Sequence, residues 1–274
     1  MKKYLESLNK DETRKQFESF FLLSQEQLDN RFNTSPWKYI NKSELRIIYK
    51  LLDLDKDGPL LDVGCVTGRI IVPIQHNIEA CGLDFSISFL DKLKKQSKNK
   101  MMLIAGGVEN LPFKDNSFKT IICVRVVQHL SKREKQIAVN EMARVLEKGG
   151  KLILLNYNSL SLLSIYKTLC KTVGNRWPRW PLKKWGWIID EYNTVWEMEK
   201  MFKTAGFNII KTYGSVFGEP DIVRFVKLAD FMDKHYPGFM DSYFRLCEKI
   251  ENKINNLWPF KYLMGRVVTV GFKC

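Results

Sequence analysis

The residues best suited to chemistry lie in one short run, Leu60-Leu61-Asp62-Val63-Gly64-Cys65-Val66-Thr67-Gly68-Arg69. Four apolar-rich positions lead into a turn in which two glycines let the backbone approach a ligand closely. A helical pattern follows, and a helix starting there would offer free N–H groups and a positive dipole end to a carboxylate or phosphate. Asp84 ends the next apolar run, 22 residues after Asp62. An acid at that place can accept both hydroxyls of a ribose. A glycine turn alone is weak, whereas strand, turn, helix, strand and acid in that order is a nucleotide-binding pattern. The G-x-x-x-G spacing departs from the G-x-G-x-x-G of dinucleotide sites.

The elements that must position these groups read as follows. The first 59 residues are helical, with Phe17, Phe20, Phe21 and Leu28 near one face and Ile47, Ile48, Leu51 and Leu52 as a second stripe. Gly58-Pro59 breaks the chain before the core. Short apolar runs at 79–84, 101–105, 120–124 and 151–156 read as further strands. A lysine-rich helix is predicted over about 87–98. Another opens on the capping box Ser131-Lys-Arg-Glu134 and is expected to end at Gly149-Gly150. Nearly all-apolar strands alternating with helices predict a buried, doubly wound α/β sheet with helices on both faces. After a basic stretch at 158–189 the core resumes at 190–218, with a helix ending at Gly206 and a strand from Phe207 to Thr212. A second helical insertion spans 219–262, and Arg266–Phe272 forms a last strand.

The run from Asp62 to Gly68 resembles the first motif of class I S-adenosylmethionine-dependent methyltransferases, of the kind acting on small molecules and lipids. Four further stretches resemble that family in order: Gly82-Leu-Asp84-Phe85-Ser86; Gly106-Gly107-Val108-Glu109-Asn-Leu-Pro112-Phe113; Asp115-Asn-Ser-Phe118 with Gln128-His129-Leu130; and Arg144-Val-Leu-Glu-Lys-Gly-Gly150. The resemblance covers about residues 60–157, and more loosely 192–216 and the final strand. It implies a Rossmann-like sheet of seven strands, the last antiparallel. It implies S-adenosylmethionine as the methyl donor, S-adenosylhomocysteine as the product, and no metal. Asp62 with the backbone of Gly64, Cys65 and Gly68 would hold the methionine end; Asp84, Phe85 and Ser86 the ribose; and Val108 and Glu109 the adenine. Arg125 would contact donor or acceptor. Three positions depart from the pattern. Val66 replaces a usual glycine, and because a β-branched residue disfavours positive φ, the turn is expected to take another shape or to sit slightly farther from the cofactor. Gly107 and Thr120 stand where acids are common.

His129, just after the fourth strand, is the candidate general base for a hydroxyl acceptor. Asn156, Tyr157 and Asn158 end the fifth strand at the same rim, and Trp187 lies in the insertion above it; Asn156, Tyr157 and Trp187 are candidate acceptor contacts. Cys65 reads as a packing residue rather than a nucleophile.

Composition narrows the partners. The net charge is +14, from 44 Lys and Arg against 30 Asp and Glu. Six of the basic residues fall in 158–189, which contains no acid and carries Trp177, Trp180, Trp185 and Trp187. An apolar helical stripe beside cations and indoles predicts a lid that also meets an anionic membrane surface. The alternative is a plain roof over the site. Nucleic acid is the weaker reading, since no recognised RNA-binding module is visible. No apolar stretch reaches a spanning length, no signal core follows the N-terminus, and the six cysteines lack a C-x-x-C pair. These features lead us to expect a cytoplasmic protein, peripheral at most. The activity expected is O-methylation of a small or lipid-like metabolite; RNA methylation and a non-catalytic binding role are the alternatives.

Overall fold

A computed structural model describes residues 35–97, 101–161, 164–165, 192–217, 229 and 231–274. The early aromatic stripe (Phe17 to Leu28), most of the basic insertion with Trp187, and Cys170 lie outside the described residues.

Seven strands form one sheet in the order β3-β2-β1-β4-β5-β7-β6. They are β1 (Leu60–Val63), β2 (Ala80–Asp84), β3 (Met102–Ala105), β4 (Phe118–Val124), β5 (Leu146–Tyr157), β6 (Phe207–Ser215) and β7 (Arg266–Lys273). Strands β1 to β5 pair in parallel, and β7 runs antiparallel between β5 and β6. Alternate residues of the central strands feed two cores, as a period of two requires. On one face Leu61, Val63, Ile121, Cys123, Leu152 and Leu154 pack against α3 (Lys132–Val145) and α4 (Val195–Thr204). On the other, Leu60, Ile122, Val124, Ile153 and Leu155 meet α1 (Ser35–Leu51) and α2 (Ile87–Gln96). Both α3 and α4 begin on reciprocal capping boxes, Ser131 with Glu134 and Thr194 with Glu197.

A third cluster joins α1 to α5 (Phe239–Ile254): Trp37, Tyr39 and Ile40 pack on Met240, Phe244 and Cys247. At its edge the buried Glu251 accepts hydrogen bonds from Tyr39 Oη, Ser43 Oγ, Arg46 Nη2 and the Phe217 N–H. The second insertion is thereby locked to the helix that precedes the core.

Two expectations fail. The chain after β1 forms turns and one 3-10 turn, Val72–Ile74, instead of a helix. Pro73 sits in the middle of that stretch, where it has no N–H for an i to i−4 bond. The glycine turn therefore has no helix dipole behind it. Helix α3 also stops at Val145, because Leu146 turns extended to pair with Phe118. Gly149 and Gly150 lie inside β5, at a register shift between Phe118 and Thr120, where Gly149 takes φ +75°.

Candidate active site

The carboxyl ends of β1, β2 and β4 meet where strand order reverses direction, the place where open α/β sheets bind ligands. The turn after β1 is tied to the end of β2: the N–H groups of Gly64 and Cys65 donate to the Leu83 carbonyl at 2.7 and 3.0 Å. The Gly68 N–H donates to the Cys65 carbonyl at 2.7 Å. Gly64 is required twice over. Its φ is +75°, and a Cβ there would lie 2.2 Å from Val126 Cγ2. Val66 corrects the expectation made for it. It accepts φ +47°, the left-handed value a glycine would take, and its N–H is held by Asp84 Oδ2 at 3.0 Å. The hydrogen bond offsets part of the strain.

Asp84 also accepts the Ser86 N–H through Oδ1 at 3.0 Å, so the acid organises both the turn and the entry to α2. Ser86 is fully buried and Phe85 half-buried beside it. The Gly106 N–H donates to the Asp84 carbonyl, which brings the loop carrying Val108 and Glu109 to the same acid. That loop is held from α3. Arg144 donates to the carbonyls of Leu111 and Phe113 and pairs with Glu141 and Asp115, while Glu141 accepts the Leu111 N–H. The last motif of the series thus acts by fixing the third.

Asp62 differs from Asp84. Its side chain is buried, and no hydrogen bond reaches its carboxyl among the described residues. Burial raises its pKa to about 7, opposed by Arg69 and helped by the charge of Asp84. Cys65 packs under the turn, its Sγ 2.9 Å from where a Gly82 Cβ would be. Burial first, then the charges of Asp62 and Asp84, push its thiol far above the usual range, which leaves it inert as a nucleophile.

One group at the same rim, which the motifs do not point to, organises its charges. Glu44 of α1 is fully buried and faces three arginines: Arg69 Nη2 at 2.7 Å, Arg266 Nε at 3.3 Å and Arg125 Nε at 3.6 Å. Burial alone would raise its pKa, yet Arg125, Arg69 and Arg266 together hold it at about 2. Arg266 is itself buried, with its guanidinium carbon 3.6 Å from the Tyr157 ring centroid. Tyr157 also stacks on Tyr192 at 4.9 Å. Asn156 is fully buried and donates to Asn193 Oδ1, which also accepts from the buried Lys135 Nζ at 3.0 Å. His129 ends a 3-10 turn after β4, with Nε2 3.4 Å from Gln128 Nε2. Asn158 is structural: its amide donates to the carbonyls of Tyr262 and Met264, and its Oδ1 caps Leu160. A groove lined by Pro59, Gln75, Ile78, Met101 and Phe118 lies at the amino ends of the strands, away from all of these groups. Among the described residues, no three His, Cys, Asp or Glu side chains form a metal-holding group.

Residues 61–154 match the family model described as a methyltransferase domain. The structure is similar to a Thermotoga maritima S-adenosylmethionine-dependent methyltransferase, described as a possible histamine N-methyltransferase. The TM-score is 0.62 at 20% identity, covering 93% of this chain and 98% of that one. In sequence, the chain is 31% identical to the probable tRNA methyltransferase 9B of Bos taurus, over 39% of this chain and 23% of the relative. It is 28% identical to the demethylmenaquinone methyltransferase of Staphylococcus haemolyticus, over 55% of this chain and 69% of the relative. The chain spans half or less of the length of the first curated relatives it matches. The fold is that of the class I S-adenosylmethionine-dependent methyltransferases.

Proposed function

We infer that this chain, whose residues 61–154 form a class I methyltransferase domain, transfers a methyl group from S-adenosylmethionine to a small or lipid-like acceptor. The observation that carries this reading is Asp62. A carboxyl buried without a hydrogen bond is costly when ionised, and an alkylammonium ligand is the partner that reverses that cost. The amino group of the donor's methionine end has that chemistry. Asp84, already fixed by two backbone N–H groups, has further lone pairs for a ribose diol. The loop through Val108 and Glu109 lies next to it and would cover the adenine.

The bound donor supplies a methyl on a sulfonium, already activated toward displacement. What the protein adds is alignment of the acceptor in line with the breaking bond. Asn156 and Tyr157 stand at the end of β5 to orient that acceptor. His129 takes the proton from a hydroxyl acceptor, which makes O-methylation the favoured chemistry.

A lipid-like acceptor at an anionic membrane surface is supported by the turn between α5 and β7. Leu257, Trp258 and Phe260 are 51%, 77% and 47% exposed, and Lys253 and Lys261 flank them. Among the described residues no helix is long and apolar enough to cross a membrane. Incubation with methyl-labelled S-adenosylmethionine and either an organic extract or bulk tRNA distinguishes the acceptors. Label in the organic phase supports the proposal, and label in tRNA replaces it with RNA methylation. With the acceptor in hand, His129→Ala should lower kcat at least tenfold without weakening donor binding; an unchanged kcat removes the base role.

A further inference from the structure

We propose that Arg69, Arg125 and Arg266 form a receptor for an anionic group, a carboxylate or phosphate, carried by the methyl acceptor. That the anion belongs to a methyl acceptor rests on the methyltransferase reading; the anion site itself stands on its own geometry.

The three arginines come from separate parts of the sheet and converge on its carboxyl rim. Arg69 follows the glycine turn after β1, and Arg125 follows β4 directly. Arg266 opens β7 opposite Tyr157, the last residue of β5. They share one buried carboxylate, Glu44, and Asp62 stands near Arg69, so the cluster keeps an excess of positive charge.

Two of the three guanidinium groups are braced. Arg69 donates to Asn41 Oδ1 and Glu44 Oε2, each at 2.7 Å. Arg266 donates to Glu44 and to the Gly265 carbonyl and lies against Tyr157. Arg125 is different. Its Nε is 3.6 Å from Glu44 and its guanidinium 5.9 Å from the Trp37 ring centroid. Its side chain makes no hydrogen bond among the described residues and is 21% exposed. A planar fork of donors therefore stands at the carboxyl rim between Glu44 and Trp37 without a side-chain hydrogen bond among the described residues, which is the arrangement that receives a carboxylate or phosphate in bidentate fashion. The backbone supports this placement at a cost, since Arg125 takes φ +58° while its N–H bonds the Leu155 carbonyl.

Charge balance assigns the anion to the acceptor rather than to the donor. The donor is a net cation, and its ammonium falls to Asp62. Surplus positive charge beside it is repulsive in a site of reduced dielectric. An acceptor bearing a negative group removes the repulsion, so the donor and the anion should bind cooperatively.

Titration calorimetry on the full chain tests this with two probes, inorganic phosphate and decanoate, with decanol as the neutral control and with and without S-adenosylhomocysteine. The proposal expects one saturable site for at least one anion and tighter anion binding with the nucleoside present. Arg125→Gln should weaken anion binding at least tenfold and move the nucleoside affinity less than threefold. Arg125→Lys, which keeps the charge and loses the fork, should fall between. Phosphate binding marks a phosphate-bearing acceptor, and decanoate binding without phosphate binding marks a carboxylate. No saturable anion binding overturns the proposal, as does decanol binding as well as decanoate. So does a tenfold loss of nucleoside affinity in Arg125→Gln, which would give the guanidinium to the donor's own carboxylate. If wild type takes the anion but never the nucleoside, the anion site stands and the methyltransferase reading fails.

Discussion

Replacing Glu44 by glutamine keeps the shape of the side chain and removes its charge. In the native protein that charge is surrounded by Arg69, Arg125 and Arg266 and is fully buried. Its pKa falls from 4.5 to about 2, which at ~1.36 kcal/mol per unit is roughly 3 kcal/mol of net preference for the ionised form. The Gln variant forfeits that preference and leaves three guanidinium groups facing one another, so about 3 kcal/mol is the expected loss of stability at pH 7. An unfolding entropy of ~2.1 cal/mol/K per residue converts this to a fall in Tm of about 5 °C for a chain of 274 residues. The pH dependence follows from the sign of the shift. A depressed carboxyl pKa stabilises the fold above the unfolded value near 4.5, and that stabilisation disappears as pH falls toward 2. The difference between wild type and Glu44→Gln should therefore be full at pH 7 and largely gone near pH 2.5. Thermal or urea unfolding followed by circular dichroism measures both. A Tm within 1 °C of wild type at pH 7 would refute the reasoning. A gap unchanged at low pH would show that shape, not charge, makes Glu44 matter.

Three other changes have defined outcomes. Arg144→Ala frees the Leu111 and Phe113 carbonyls, so it should cost about 1–3 kcal/mol in urea unfolding and weaken donor binding several-fold; unchanged donor affinity would detach this arginine from the adenine loop. Val66→Gly relieves a left-handed β-branched residue, ~1–2 kcal/mol, against ~0.5–1 kcal/mol of added chain entropy. A small rise in Tm is expected, and a fall would mean that the valine side chain contributes more than its backbone strain costs. Asp62→Asn should raise stability at pH 8 by up to roughly 4 kcal/mol, because the buried acid holds its proton more tightly when folded. That gain should vanish below about pH 4, and its absence at pH 8 would place Asp62 in a more polar setting than the structure gives it.

The sheet was legible because its central strands are rich in apolar residues and because a local signal, the Ser131–Glu134 cap, marks the helix before β5. Asp62, Asp84 and the glycine turn were legible because a short backbone motif brings them together. Where reading failed, one residue outweighed a pattern: Pro73 stops the helix expected after β1, and Leu146 ends α3 by pairing with Phe118. The charged centre at Glu44 was not legible. Its partners are 25, 81 and 222 positions away, and α1 gives no local hint that one of its polar residues faces inward. Arg266 did carry a signal, a charged residue heading a mostly apolar strand, as did Lys135 among the buried positions of α3.

The proposed function depends on Asp62 receiving the ammonium of S-adenosylmethionine. Titration calorimetry of wild type and Asp62→Asn from pH 5 to pH 7.5 tests it directly. Wild-type affinity should rise as pH climbs toward about 7, because the carboxyl must lose its proton to pair with the ligand. Asp62→Asn should bind at least tenfold more weakly at pH 7.5 and without that pH dependence. Equal affinity in the two proteins would contradict the assignment of Asp62, and no binding by wild type at millimolar donor would contradict the enzyme itself.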